Sequence, residues 1–239
     1  MKKCVLLFCL VVGFSFSAQS QVLISLLLGD KLNSDKLEFG LIGGFSSANQ
    51  SGVDGSSHFG ALHLGFYFDF ILSEKWVFNP SVNVISASGM EYTNLDPAIT
   101  GISGLDNVLV GADARLKVEY FQVPLLMKYN VTPKIHLMLG PQVALRHKAS
   151  TFYHYDLNGN DVVYREDERD NYKRLDAGFT SGVGYKLKPG GMNLGVRYYQ
   201  GLVDVRKNNL GDANRNRSWY VYCTIPIGKG KAVKSEQVD

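Results

Sequence analysis

His147 and Ser150 are the first residues that could do chemistry, as a base and a hydroxyl nucleophile. Such a pair needs mutual hydrogen-bond reach and a third group to orient the imidazole. A spacing of three places them on opposite faces of a strand, and the sequence sets no acidic residue beside the histidine. They read as a strand end entering a loop. His63 and His136 could share a metal, but zinc takes three or four ligands, and polar residues on inward strand faces more often join hydrogen-bond networks. Asp156-Leu157-Asn158-Gly159-Asn160-Asp161 is oxygen-rich like a calcium loop. It lacks glycine at the sixth loop position and has Asp167 where a bidentate glutamate belongs. The same stretch, with Asn158-Gly159 between Phe152–Tyr155 and Val162–Tyr164, reads as a hairpin turn. Arg206, Lys207, Arg215 and Arg217 could meet lipopolysaccharide phosphates, or form an ordinary solvated loop. The expectation is therefore no catalytic residue, no cofactor, no metal and no enzymatic activity.

The elements that would carry these residues are strands. Leu116–His147 alternates strictly about a tight turn at Asn130–Pro133. Phe121, Val123, Leu125, Met127 and Tyr129 share one face, opposite Tyr120, Gln122, Pro124 and Lys128. Ile135, Leu137, Leu139, Val143 and Leu145 alternate with His136, Gly140, Gln142 and Arg146. Successive strand side chains point to opposite faces, so each strand has one apolar and one polar face. The theme recurs in Leu37–Ser46, Phe59–Leu72, Trp76–Ala87, Leu175–Leu187, Met192–Val205 and Ser218–Ile227, which makes eight strands.

The ends of the chain read differently. Residues 1–20 resemble a secretory signal: Lys2-Lys3, an apolar run Val5–Phe16, then Ala18-Gln19-Ser20. Residues 21–35, with the apolar run Val22–Leu28, form a lead-in or a small periplasmic cap. The barrel itself is expected over 36–228, and 229–239 is a polar tail. The formal charge is +3, and losing Lys2 and Lys3 with the signal leaves +1. Nothing there favours nucleic acid. Cys4 and Cys9 belong to the signal, and Cys223 then stands alone, without a disulfide framework.

Connection lengths orient the strands. Short turns at Ser73–Lys75, Asn130–Pro133 and Lys188–Gly191 alternate with longer polar segments at Ser47–His58, Ser88–Asp113, Lys148–Arg174 and Arg206–Arg217. Outer-membrane barrels have short periplasmic turns and long extracellular loops, and an even strand number leaves both chain ends in the periplasm. Trp76, Tyr129 and Tyr185 fall beside the short turns, where an interfacial aromatic girdle sits. The expected fold is all-β, an eight-stranded antiparallel transmembrane barrel in the cell outer membrane. Glu38, His63, Tyr67, Asp69, Asn79, Asn83, Tyr120, Gln122, His136, Gln142, Arg146, Asp176, Arg197, Tyr199, Tyr220 and Tyr222 point inward. Eight strands leave room only for side chains. A packed polar network is expected, with Arg146 and Arg197 neutralised by Glu38, Asp69 or Asp176 rather than an open pore. The Asn-x-Ser/Thr sites at Asn49, Asn130 and Asn216 carry no meaning in a bacterial envelope.

The segments KLEFGLIGG (36–44), VEYFQVPLLMKY (118–129), IHLMLGPQVA (135–144), LDAGFTSGVGY (175–185) and LGVRYYQGLVDV (194–205) resemble the PorT-like outer-membrane β-barrel family of Bacteroidetes-type bacteria. Tyr-x-Gln-x-Pro-Leu-Leu-x-Lys-Tyr at 120–129 is the most specific piece. The resemblance implies an eight-stranded barrel inserted by the barrel assembly machinery. Its founding member serves protein secretion by the type IX system. The chain departs from many such barrels by continuing past Ile227 rather than ending on an aromatic residue. The function expected is an integral outer-membrane protein with a structural or interaction role. Its partners would be outer-membrane lipid, lipopolysaccharide and envelope proteins. The alternatives are a subunit of a type IX-like secretion or uptake assembly, and a soluble lipocalin-like carrier with the faces reversed.

Overall fold

A computed structural model describes residues 34, 36–53, 55–93, 111–157, 159–188, 191–207 and 213–227. The signal segment 1–20, nearly all of the lead-in 21–35 and the tail 229–239 lie outside the described residues. The described chain forms ten strands: β1 (Leu37–Gln50), β2 (Ser57–Ile71), β3 (Trp76–Ile85), β4 (Ala87–Tyr92), β5 (Asp113–Asn130), β6 (Ile135–Leu157), β7 (Asn160–Asp167), β8 (Leu175–Lys186), β9 (Asn193–Gly201) and β10 (Asn216–Pro226).

All pairings are antiparallel, and β1 pairs with β2 on one edge and β10 on the other. The ring runs β1-β2-β3-β5-β6-β8-β9-β10 and returns to β1, eight strands closed on themselves. β4 continues β3, and β7 hangs on β6 outside the ring. The expected third strand, Trp76–Ala87, breaks at Ser86, and Ala87 joins Ser88–Tyr92, expected to open a loop, in β4, which pairs with the upper part of β5. The break removes the alternation that marks a wall strand. Ala87, Ser88, Gly89 and Met90 are all buried, because β4 leaves the wall and turns into the mouth of the barrel.

The apolar faces point outward. Phe45, Leu62, Phe121, Leu139, Val143, Phe179, Val196, Trp219 and Val221 are exposed. That places the alternation opposite to the one a lipocalin-like carrier needs. Trp76 and Tyr129 are cross-strand partners with rings 4.9 Å apart, beside the short turns as expected of an interfacial girdle. Pro124 has no N–H to give β3, and the β3–β5 ladder has no registered pair between Pro80↔Leu125 and Asn83↔Gln122.

The two faces of β5 exchange polarity at the upper rim, while the same residues alternate inward throughout. Below it, on β5, Tyr120, Gln122 and Lys128 are buried while Phe121, Leu125 and Met127 face out. Above it Ala114, Leu116 and Val118 are buried while Arg115 and Lys117 sit in salt bridges on the outside. The register slips between Glu119 and Tyr120, with His147 as the extra residue of β6. A bulge bends and twists a strand where its surroundings change. We take this level as the outer margin of the hydrocarbon.

Gly44 sits on the closing seam, where an added Cβ would run into the Val221 carbonyl and the Tyr222 Cα of β10. Gly44→Val should therefore destabilise closure by about 1–3 kcal/mol, as overpacking against backbone does. On a denaturing gel the wild-type chain should shift on boiling, and the variant should lose its compact unboiled band. An unchanged band would argue against the β1–β10 seam.

Candidate functional site

The interior is filled by side chains from every strand of the ring, in layers. Nearest the short turns, the Lys128 ammonium sits 2.8 Å from both carboxylate oxygens of Asp69. The Asn79 amide donates to Asp69 at 2.6 Å, and Tyr67 donates to Glu38 at 2.8 Å. Alternation brings these groups together, since all occupy inward positions of β1, β2, β3 and β5. Above them Ile42, Leu126 and Met138 form an apolar layer with Tyr67 and Tyr222. Arg197 lies over the Tyr222 ring, 4.2 Å from its centroid, and donates to Asn79 Oδ1 at 3.3 Å.

The upper network centres on Asn216. Its amide nitrogen donates to Asp176 at 2.8 Å and to the Tyr120 hydroxyl at 3.2 Å. Its carbonyl oxygen accepts from Gln50 and Ser88. Gln122 donates to Tyr220, Thr180 donates to Gln142, and His63 meets Tyr220 edge-on. Over this lies a lid of Met90, Leu116, Val118, Ala144, Ala149, Tyr172 and Val205.

The inward set expected from the sequence lies inside, and fourteen of its sixteen members are buried, Asp69 and Arg146 being partly so. The expected ion pairs are not the ones formed. Among the described residues the ion pair inside the barrel is Lys128–Asp69. Arg197 takes a ring, an amide and the Met138 sulfur instead, and Arg146 donates to the Lys173 carbonyl. Height along the barrel decides this, because strand shear, not face, sets which inward groups meet. In the sequence Asn216 reads only as a sequon without meaning in this envelope. Carrying the alternation of Ser218, Tyr220 and Tyr222 one step upstream would have placed it inside.

The residues weighed for chemistry part company. His147 faces out, with Nε2 3.7 Å from Glu119 Oε2, the acidic neighbour the sequence did not reveal. Ser150 is buried on the other face and its hydroxyl accepts from Arg165. His63 and His136 are both buried, and no cluster of three or more metal-ligating side chains occurs among the described residues. Asp156–Asp161 is the tip of the β6–β7 hairpin: Asp156 accepts from the Gly159 amide at 2.7 Å, and Gly159 takes a positive φ of 82°.

Among the described residues the hairpin extends furthest beyond the rim. β6 runs 23 residues, well past the rim, and β7 pairs with its upper part from Ser150↔Asp167 to Leu157↔Asn160. At its base, a pocket of about 150 Å3 is lined by Tyr92, Tyr153, Tyr172, Glu166, Glu168 and Arg206, among others. Tyr153 donates to Glu166, and Thr151 and Asn171 donate to Glu168.

The barrel's geometry and its alternation agree with what known proteins resemble it. A sequence model described as outer membrane protein beta-barrel domain matches residues 18–207, most of the chain. The chain belongs to that family. It is accordingly a protein of the outer membrane. No curated protein sequence matches it. Among solved structures it is similar to Ail, the attachment invasion locus protein of Yersinia pestis, solved with the heparin analogue sucrose octasulfate. The TM-score is 0.41 at 10% identity, over 80% of this chain and 99% of that one. It is also similar to Neisserial surface protein A, with TM-score 0.35, 14% identity and 79% and 96% coverage. OprG from Pseudomonas aeruginosa gives 0.32, 13%, 80% and 94%.

Two predictions follow from the charges. Lys128→Met leaves the Asp69 carboxylate buried without its cation, which should cost about 3–5 kcal/mol. Adding Asp69→Asn should restore much of the loss, as read by guanidinium unfolding in detergent. Equal stability of the single variant and the wild type would contradict the pairing. Above the rim, burial and the neighbouring Glu168 charge raise the Glu166 pKa. The side-chain and backbone hydrogen bonds of Arg169 hold Asp167 down to about 2. The signs oppose each other. Glu166 favours the folded hairpin below the ordinary carboxylate range, a contribution lost as pH rises through its raised value. Asp167 favours it above that range, a contribution lost as pH falls towards about 2. Glu168→Gln should lower the Glu166 midpoint in carboxyl NMR titrations and leave Asp167 in place. A Glu166 midpoint indifferent to the change would refute the coupling.

Proposed function

We propose that this family member is a closed, non-enzymatic barrel that acts as an interaction platform, with the β6–β7 hairpin as its working part. The observation that carries this reading is the hairpin itself. Two strands are extended beyond the rim, where the membrane no longer requires them, and β7 keeps one edge outside the ring. Such an edge can add a strand from another chain. The filled interior supports a role without solute passage, since Leu126, Tyr67, Tyr120, Tyr199 and His136 are all fully buried along the axis. The Tyr120–Tyr129 motif supports a PorT-like assignment within the broader family, and with it a second reading as a subunit of an outer-membrane secretion assembly.

Excising residues 152–165 and joining Thr151 to Glu166 through an Asn-Gly turn should leave the boiling shift intact. It should also remove the envelope proteins that crosslink to the wild-type chain in whole cells. An unchanged crosslinking pattern would sink the hairpin as the working part. In a liposome-swelling assay the purified barrel should admit small sugars no faster than empty liposomes do. Swelling above that background would overturn the sealed interior.

A further inference from the structure

The wall of the barrel is interrupted at one place. β2 pairs with β1 continuously from Phe59 to Phe70. On its other side it pairs with β3 up to Leu64↔Ile85, and with β4 only at His58↔Met90 and Ser57↔Glu91. Phe59–His63 have no registered partner there, because the chain bends inward at Ser86. The bend leaves a crevice of about 610 Å3 in the outer surface. Ser86 and Ala87 form its floor, and the edge of β2 from Phe59 to Leu62 forms one wall. The upper outer faces of β5 and β6 form the other, through Arg115, Lys117, Glu119 and His147.

The crevice straddles the margin where the barrel's faces invert. Its lower lip is Leu62, Val84 and Ile85, which are exposed towards hydrocarbon. Its upper wall is charged. Arg115 pairs with Glu91 at 2.8 Å through Nε, and its half-exposed guanidinium carries further N–H donors. Lys117 pairs with Glu119 and has two further N–H groups. The floor is closed, since Ser86 is buried and its Oγ is not reached from outside.

We propose that this crevice is a binding site for a phosphorylated lipid of the outer leaflet. Its acyl chain runs down past Leu62, Val84 and Ile85. Its phosphate lies against Arg115 and Lys117. The lipid is the occupant that the position selects, because the same cavity offers hydrocarbon contacts at one end and phosphate donors at the other, at the depth where a lipid changes from tail to headgroup.

The test is native mass spectrometry of the full chain in detergent, titrated separately with phosphatidic acid, diacylglycerol and inorganic phosphate. Phosphatidic acid should be retained and diacylglycerol should not. The double variant Arg115→Gln, Lys117→Gln should bind phosphatidic acid roughly tenfold more weakly, as loss of charge-assisted hydrogen bonds implies. Gly60→Trp fills the crevice from a position where an added Cβ meets nothing within 4 Å, so the barrel should still form and show its boiling shift. Its retention of phosphatidic acid should be abolished. Equal retention of diacylglycerol, binding of inorganic phosphate as tight as that of the lipid, a dimer mass in place of a lipid adduct, or wild-type binding by Gly60→Trp would each overturn the proposal.

Discussion

Hydrocarbon offers no hydrogen-bond partner, so every backbone N–H and C=O within the bilayer must find one inside the protein. A sheet meets that demand only by closing on itself. Here the closure is the long β1–β10 ladder from Gly40↔Pro226 to Gln50↔Asn216. The remaining architecture follows from it. A closed sheet has an inside and an outside, strand alternation then sorts side chains between them, and lipid claims the apolar set. Eight strands fix the bore, so the inward set has to fill it with tyrosines, amides and a few charges.

This chain of consequences explains what could be read from sequence alone. Strand number, closure, the outward direction of the apolar faces and the membership of the inward set all depend on period-two alternation and on connection length, which are local properties. Tyr120, Gln122, Gln142, Asp176 and Arg197 were each assigned to the interior by a neighbour two residues away. The partners inside the barrel were not legible. Asp69 and Lys128 are 59 positions apart and meet because the β2–β3–β5 registers bring them to one height. Leu126 and Met138 also went unnoticed, although their positions in the alternation are inward. An apolar residue on a polar face looks like an exception until its layer-mates, here Ile42 and the rings of Tyr67 and Tyr222, are known.

The charges inside show why a lysine rather than an arginine holds the buried carboxylate. The short, three-donor ammonium of Lys128 fits between both oxygens of Asp69, at 2.8 Å each, with the Tyr67 ring 5.5 Å away. Arg197 is planar and weakly hydrated, so a tyrosine face, an amide oxygen and a thioether can hold it. Arginine was expected to seek a carboxylate because that pairing is the strongest available. In a narrow bore the nearest acceptor at the right height prevails over the strongest one.

The least regular part of the wall is also the part the lipid constraint touches least. Face polarity inverts between Tyr120 and Glu119, and just beyond that step β4 abandons the wall, packs Ala87–Met90 inside and gives the mouth its apolar lid. Lower in the bilayer such a departure would strand backbone groups in hydrocarbon. At the headgroup level water and polar lipid can reach them, so the ladder between β2 and the β3–β4 arm can open over Phe59–His63. The same release lets β6 and β7 extend outward as a hairpin with polar residues on its outer face. Depth, more than any single side chain, therefore divides the molecule into a sealed wall and a rim where structure is free to serve recognition.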